Sequence, residues 1–289
     1  MRIPALLCLL PLLVNGPEPA PEVRLERLGR LDHPPIREAS GLVRSRRFPG
    51  VFWVHNDSGN PPALFAVRRD GSLIREYSVN VTNIDWEDVA LDDHGHLYIG
   101  DIGNNGGRLP LRAIYRLDEP DPTRAGVRAL KVQTAIYYRF PPGEKFDAEA
   151  LVIDGDRALI VAKTFDDRPA PVYALPLDPP APLFRPAVPK RVGTLPGFTA
   201  PVTGADLSAD GRRLVVCSTH SVAVYLRAGR DGWAAFGARS FRSGEQIEAV
   251  AWDEYDIILA GEGRGVFRVP SSVWRGLGRP KEKTGWPGL

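Results

Sequence analysis

Cysteine is nearly missing from this 289-residue chain, which has only Cys8 and Cys217. Cys8 lies in an N-terminal apolar stretch, so the rest of the chain holds one thiol, forms no internal disulfide, and must be held together by its core. Lysine is also scarce, with six residues among the 37 basic ones, and the arginines form no run of five or six. Basic and acidic residues nearly cancel, to a formal charge of +2. That excludes a strong field of one sign, and no nucleic-acid partner is expected. Beyond residue 14 no apolar run approaches 18 residues, so no membrane-spanning helix is expected in the mature chain. No Gly-x-Ser-x-Gly elbow, His-Glu-x-x-His motif, phosphate loop or Asp-x-Asp-x-Asp-Gly loop occurs. The chemistries tied to those motifs are therefore set aside. Glycine and proline are abundant, at 29 and 28 residues. Breakers at that density leave no room for long helices, which excludes a helical bundle and a doubly wound α/β sheet.

Met1-Arg2 followed by the apolar stretch 3–14 has the charged start and short core of a secretory signal peptide, and is too short to span a bilayer. Residues 1–20 are read as that signal, cleaved after Gly16 or Ala20, and the protein is expected to be secreted or periplasmic. Leu7 is too large to precede a lipidated cysteine at Cys8. Residues 22–274 are read as the folded domain, and the Gly-, Pro- and Lys-rich residues 275–289 as a flexible tail.

Five segments share one pattern: Glu-Ala-Ser-Gly-Leu-Val (38–43), Asp-Trp-Glu-Asp-Val-Ala-Leu (85–91), Asp-Ala-Glu-Ala-Leu-Val (147–152), Thr-Gly-Ala-Asp-Leu-Ser (203–208) and Gln-Ile-Glu-Ala-Val-Ala (246–251). Each is followed by a polar turn and a short apolar strand, which makes a repeated hairpin. Matching Ser40, Glu87, Glu149, Gly204 and Glu248 gives intervals of 47, 62, 55 and 44 residues, the size of a four-stranded propeller blade. The fold expected is all-β: a β-propeller of five four-stranded blades. Its last blade lacks an outer strand, which 23–31 supplies. Six blades is the alternative, should the 62-residue unit hide another.

In a propeller the first strand of each blade lines the central channel. The register therefore converges Glu87, Glu149 and Glu248, with Glu38, Asp85, Asp147, Thr203 and Asp206 close by. Three glutamates at one axis repel, so a cation, a proton or a partner must compensate them. A hard divalent ion with oxygen ligands, Ca²⁺ first, is the simplest compensation. The ends of the second strands add Asp57, Asp101, Asn104 and Glu262 as further candidate ligands, and Lys163 as the single cation of the set. Glu149 and Lys163 share a blade and are the candidate catalytic pair, a base beside an ammonium. His55 and His220 are the two histidines expected at the mouth, while Trp53, Trp86 and Trp252 are expected to pack between blades.

At residues 38–42, 55–59 (His-Asn-Asp-Ser-Gly), 85–90, 100–105 (Gly-Asp-Ile-Gly-Asn-Asn), 147–151 and 202–211 the chain resembles a family of exported bacterial propeller proteins. More distantly it is similar to the phytase-like and strictosidine-synthase-like propellers. The resemblance spans about residues 36–270. It implies a propeller with a calcium-bearing channel that in some members hydrolyses phosphoesters, esters or lactones. The Lys and Arg cluster that phytase-type propellers use on phosphate is absent here, since Lys163 stands alone. Three readings follow: a Ca²⁺-dependent hydrolase acting on a small molecule, a non-catalytic propeller whose rim binds an extracytoplasmic protein or glycan around a structural ion, or a purely structural exported scaffold with no ligand. A monomer is expected in every case.

Overall fold

The computed structural model describes residues 21–141, 147–166 and 168–274. The expected signal and tail, residues 1–20 and 275–289, lie outside the described residues. Strand β1 (Glu26–Arg30) precedes the first blade, made of β2 (Ala39–Arg44), β3 (Val51–Asn56), β4 (Ala63–Arg68) and β5 (Leu73–Val79). The second blade holds β6 (Trp86–Leu91), β7 (His96–Asp101), β8 (Arg112–Asp118) and β10 (Thr134–Tyr138), and the short β9 (Ala129–Leu130) leaves it for the first. Then come β11 (Asp147–Asp154), β12 (Arg157–Lys163), β13 (Pro171–Pro176) and β14 (Lys190–Thr194), followed by β15 (Gly204–Leu207), β16 (Arg213–Ser218), β17 (Ser221–Ala228) and β18 (Gly232–Ser240). The fifth blade is β19 (Ile247–Asp253), β20 (Asp256–Gly261) and β21 (Gly265–Val269), with β1 as its outermost strand. The inner strands β2, β6, β11, β15 and β19 touch in that order and back to β2, closing a five-bladed propeller. No helix among the described residues is long and apolar enough to cross a membrane.

Five apolar clusters fill the five blade interfaces. Trp53, Tyr77 and Trp86 pack between the first two blades, and Trp252 between the fourth and fifth. This is why the inner strands are buried on both faces. The only described cysteine, Cys217, is a buried free thiol in the fifth of these clusters.

The 62-residue second unit holds no additional blade. Its surplus chain runs back over the first blade, where β9 pairs parallel to β5 through Ser78↔Ala129 and Val79↔Leu130. Trp53 Nε1 donates to Glu119 Oε1 (2.8 Å), and the Tyr77 hydroxyl donates to the Asp121 carbonyl (3.1 Å).

Ring closure uses the N-terminal strand as its spacing implied. β1 pairs antiparallel to β21 from Glu26↔Arg268 to Arg30↔Gly265, and Leu31 N–H donates to the Arg264 carbonyl (2.8 Å). Leu31 is buried between the fifth and first blades, so the strand closes an apolar seam as well as a ladder. Deleting residues 1–32 is expected to lower the melting temperature by roughly 10 °C. Losing one buried leucine alone costs about 2–5 kcal/mol, and for a domain of this size about 1 kcal/mol moves the melting temperature by about 2–4 °C. A thermal melt unchanged by the deletion would refute closure through this strand.

Candidate functional site

Each inner strand enters at one face of the ring, and four of the five carry an irregularity within the first residues of the entry. Ser40 pairs with His55 and Leu42 with Val54, so Gly41 is left over. Glu87 is left over in the same way between Trp86↔Asp101 and Asp88↔Gly100, as are Glu149 and Glu248 in their own strands. A bulge frees the extra residue from the ladder and re-aims its side chain. The repeated glutamate is therefore a repeated bulge residue, aimed at the channel mouth instead of into a blade interface. This corrects the sequence register in the first blade by one. Gly41, at φ +68, occupies the bulge, and Ser40 donates its hydroxyl to the Glu87 carbonyl (2.7 Å) as an inter-blade tie.

Around the bulges the structure gathers carboxylates. Asp57, Asp85 and Glu87 each offer an oxygen within 4.8 Å of the others, and so do Glu87, Asp147 and Glu149. Glu87 belongs to both groups. It is 3% exposed, and its Oε1 has no hydrogen-bond partner. Gly103 lies against it so closely that a Cβ there would meet Glu87 Oε1 at 2.1 Å and Asp85 Oδ2 at 2.6 Å. Only glycine fits at this point of the loop. Arg112 holds that loop from below, donating from Nε to the Ile102 carbonyl (3.2 Å).

On the other side of Glu149, Lys163 Nζ lies 2.7 Å from Glu149 Oε1. Its ammonium also sits 5.8 Å from the ring of Phe165, which is 75% exposed at the mouth.

Burial dominates the proton affinities here. It drives the Glu87 carboxyl far up, helped by the charges of Glu149, Asp57, Asp85 and Asp147. Burial also raises Glu149, against the pull of Lys163. For Lys163 itself burial works downward, but Glu149, Glu248 and Asp147 outweigh it and the net is upward, so the ammonium stays charged. Burial lifts Glu248 to about 7, with Lys163 opposing and Glu262 and Asp57 adding, and lifts Asp57 to about 6.

Of the residues singled out from sequence, Asp57, Glu87, Glu149 and Lys163 meet at this point. Glu248 flanks them, half-buried and outside both oxygen groups. The structure does not bring Asp101 or Glu262 into either group, while Asn104 lies beside the second one, its N–H donating to Asp147 Oδ1 (2.7 Å). Asp101 accepts the Asp85 N–H (2.8 Å) and the Tyr115 hydroxyl (3.2 Å). Asn104 Oδ1 accepts the Leu109 N–H (2.8 Å), closing its own loop, and Glu262 accepts from Gln246 Nε2 (2.8 Å). His55 is a core residue and not a mouth residue: it is fully buried edge-on against Trp86, and burial lowers its pKa to about 4.

Asp85 and Asp147 are the members that the sequence ranked only as neighbours. The signal for them was the shared Asp-x-Glu of 85–87 and 147–149, which puts the aspartate two residues before the bulge. Further down the axis Asp88 and Asp206 are ties between blades. Asp88 accepts the N–H groups of Leu151 (2.8 Å) and Ala205 (3.3 Å), and Asp206 accepts that of Trp252 (2.8 Å).

No family model matches the chain, and no curated protein matches it. Among solved structures it is similar to virginiamycin B lyase from Staphylococcus aureus, seen as a catalytically inactive variant with quinupristin, at 12% identity and a TM-score of 0.40, over 80% of this chain and 65% of that one. The selenomethionine form of that lyase gives 12% and 0.39 over the same shares. A chain of the mitotic checkpoint complex gives 12% and 0.40, over 78% of this chain and 62% of that one. This chain thus spans less than two thirds of the length of these neighbours. The propeller assignment rests on the five sheets themselves.

Proposed function

We propose that the protein is a divalent-cation-dependent hydrolase of a phosphoester, ester or lactone, with Ca²⁺ held at the channel mouth by Glu87 and its neighbouring carboxylates. One observation carries the reading: a buried carboxylate, Glu87, has an oxygen with no hydrogen-bond partner and faces four other carboxylates. A buried charge without a partner costs several kcal/mol, and an all-oxygen donor set of this kind suits a hard cation.

When bound, the ion would polarise a carbonyl or phosphoryl oxygen of the substrate. The chain's own groups divide the remaining work. Glu149 sits in one of the oxygen groups and is tied to Lys163, so it serves to hold the ion and to fix the ammonium. Lys163 faces an anionic substrate group. Glu248 lies in neither group, and a carboxyl raised to about 7 is poised to take a proton from water near neutral pH. The candidate base suggested by the sequence thus moves from Glu149 to Glu248.

The exposed ring of Phe165 beside Lys163 favours a second reading, a rim that stacks a glycan around a structural ion. Metal analysis of purified protein, followed by phosphoester, ester and lactone substrates with and without chelator, separates the two. Bound calcium with a chelator-sensitive turnover is expected. Bound calcium with no turnover on any of these, together with retention on a glycan array, would establish the second reading.

A further inference from the structure

Both carboxylate groups contain Glu87, and their spacing has a direct reading in terms of ion number. A Ca²⁺ ion sits about 2.3–2.6 Å from each oxygen ligand, so two ligands of one ion lie at most about 5 Å apart. The oxygens of Asp57, Asp85 and Glu87 all lie within 4.8 Å of one another, inside that limit, and so do those of Glu87, Asp147 and Glu149. The five residues do not form one group at that distance. The carboxylates thus fall into two sets of three that overlap only in Glu87, and two ions can share them through its carboxylate, which has two oxygens.

Charge points the same way. One divalent ion beside five clustered carboxylates leaves a negative excess even with the Lys163 ammonium and the Arg112 guanidinium counted, in a site where Glu87 is only 3% exposed. A second divalent ion removes that excess. On the Asp85 side the unpartnered Glu87 Oε1 is the open donor, lying with Asp85 against the bare backbone of Gly103. On the other side the Asn104 N–H, donating to Asp147 Oδ1 (2.7 Å), holds that carboxylate in place.

We infer that the channel mouth is a two-cation centre in which Glu87 bridges one ion held with Asp57 and Asp85 to a second held with Asp147 and Glu149. This rests on the cation reading given above and adds the number of ions and the division of ligands between them.

Calorimetric titration of the full chain with CaCl₂ after chelator treatment, checked by metal content after gel filtration, tests it. Two ions per chain are expected for the wild type. Asp57→Asn and Asp147→Asn are each expected to leave one, and Glu87→Gln to weaken both steps at least tenfold. Should Asp57→Asn fail to fold by circular dichroism, Asp85→Asn probes the same triad. A wild type that binds one ion would overturn the two-cation centre and leave the proposed function standing. No bound ion would overturn both. Two ions that are lost together in every variant would refute the division into triads.

Discussion

Held in chelator, the protein is expected to lose thermal stability steadily as the pH is raised from 5 to 8, the reverse of what paired surface carboxylates produce. Asp57, Glu87, Glu149 and Glu248 all have folded-state pKa values raised by burial, from ordinary values of 3.8 for the aspartate and 4.5 for the glutamates. Below those ordinary values both states hold the proton. Between the ordinary and the raised value the unfolded chain has released its proton while the folded chain keeps it, so folding binds protons and stability falls with rising pH. Asp57 contributes to this fall up to about pH 6 and Glu248 up to about 7, while Glu149 and Glu87 extend it further. Each group adds a slope of about 1.4 kcal/mol per pH unit within its window.

Two other sets of groups must be set against this. Asp154 and Asp256 have lowered values: burial raises them, but ion pairs with Arg227 and Arg157, and with Arg268, prevail. Their contribution is complete above the ordinary aspartate value, so it is flat from pH 5 upward. His55, lowered to about 4 from 6.5 by burial, adds stability as pH rises to about 6.5 and opposes the fall only there. The net fall is expected to reach at least about 10 °C by differential scanning calorimetry, at about 2–4 °C per kcal/mol. Saturating Ca²⁺ is expected to reduce it to the share of Glu248, Asp88, Asp101 and Asp206, which burial also raises and which lie outside the ligand groups, because the ion binds the deprotonated ligand carboxylates and its affinity grows with pH. A flat profile in chelator would mean that the mouth carboxylates are compensated by something other than a cation or a proton.

How much of this was legible beforehand varied with the kind of interaction. The strands of the first blade and the closing strand β1 followed from period and alternation, because every blade buries the same apolar pattern against its neighbour. The bulge was not readable. A bulge is a property of pairing between two strands, so the segment 38–43 could be matched on Ser40 when the structure aligns Gly41. The same limit explains Asp101 and Asn104. Their residue types suit an ion, yet their oxygens are taken by Asp85, Tyr115 and Leu109, and such partners appear only when the chain is folded. Conversely the sequence could place Asp85 and Asp147 only near the converging glutamates, because aspartate before a strand is also a common turn residue. Their convergence with Glu87 depends on two different blades presenting them to one axis.

Replacing Glu248 by glutamine is expected to lower turnover by at least about a hundredfold while leaving the calcium stoichiometry unchanged. The size follows from the usual worth of a positioned general base, about 10²–10⁴-fold. The choice of residue follows from the division of the mouth: Glu87 and Glu149 have oxygens grouped with other carboxylates, whereas Glu248 has none. Lys163 acts on Glu248 by its charge, and its Nζ is fixed 2.7 Å from Glu149 Oε1. The wild-type rate should therefore rise with pH along a limb centred near the Glu248 value of about 7, and Glu248→Gln should remove that limb. Glu149→Gln separates the roles. It takes a ligand from one triad and the partner from Lys163, so its loss of turnover should be partly recovered by raising Ca²⁺, which Glu248→Gln should not be. Full turnover in Glu248→Gln, with the pH limb intact, would exclude this glutamate as the base. The mouth would then lack an uncommitted carboxylate among the three bulge glutamates, and the rim around Phe165, with its ring 75% exposed, would become the part of the molecule on which function has to be sought.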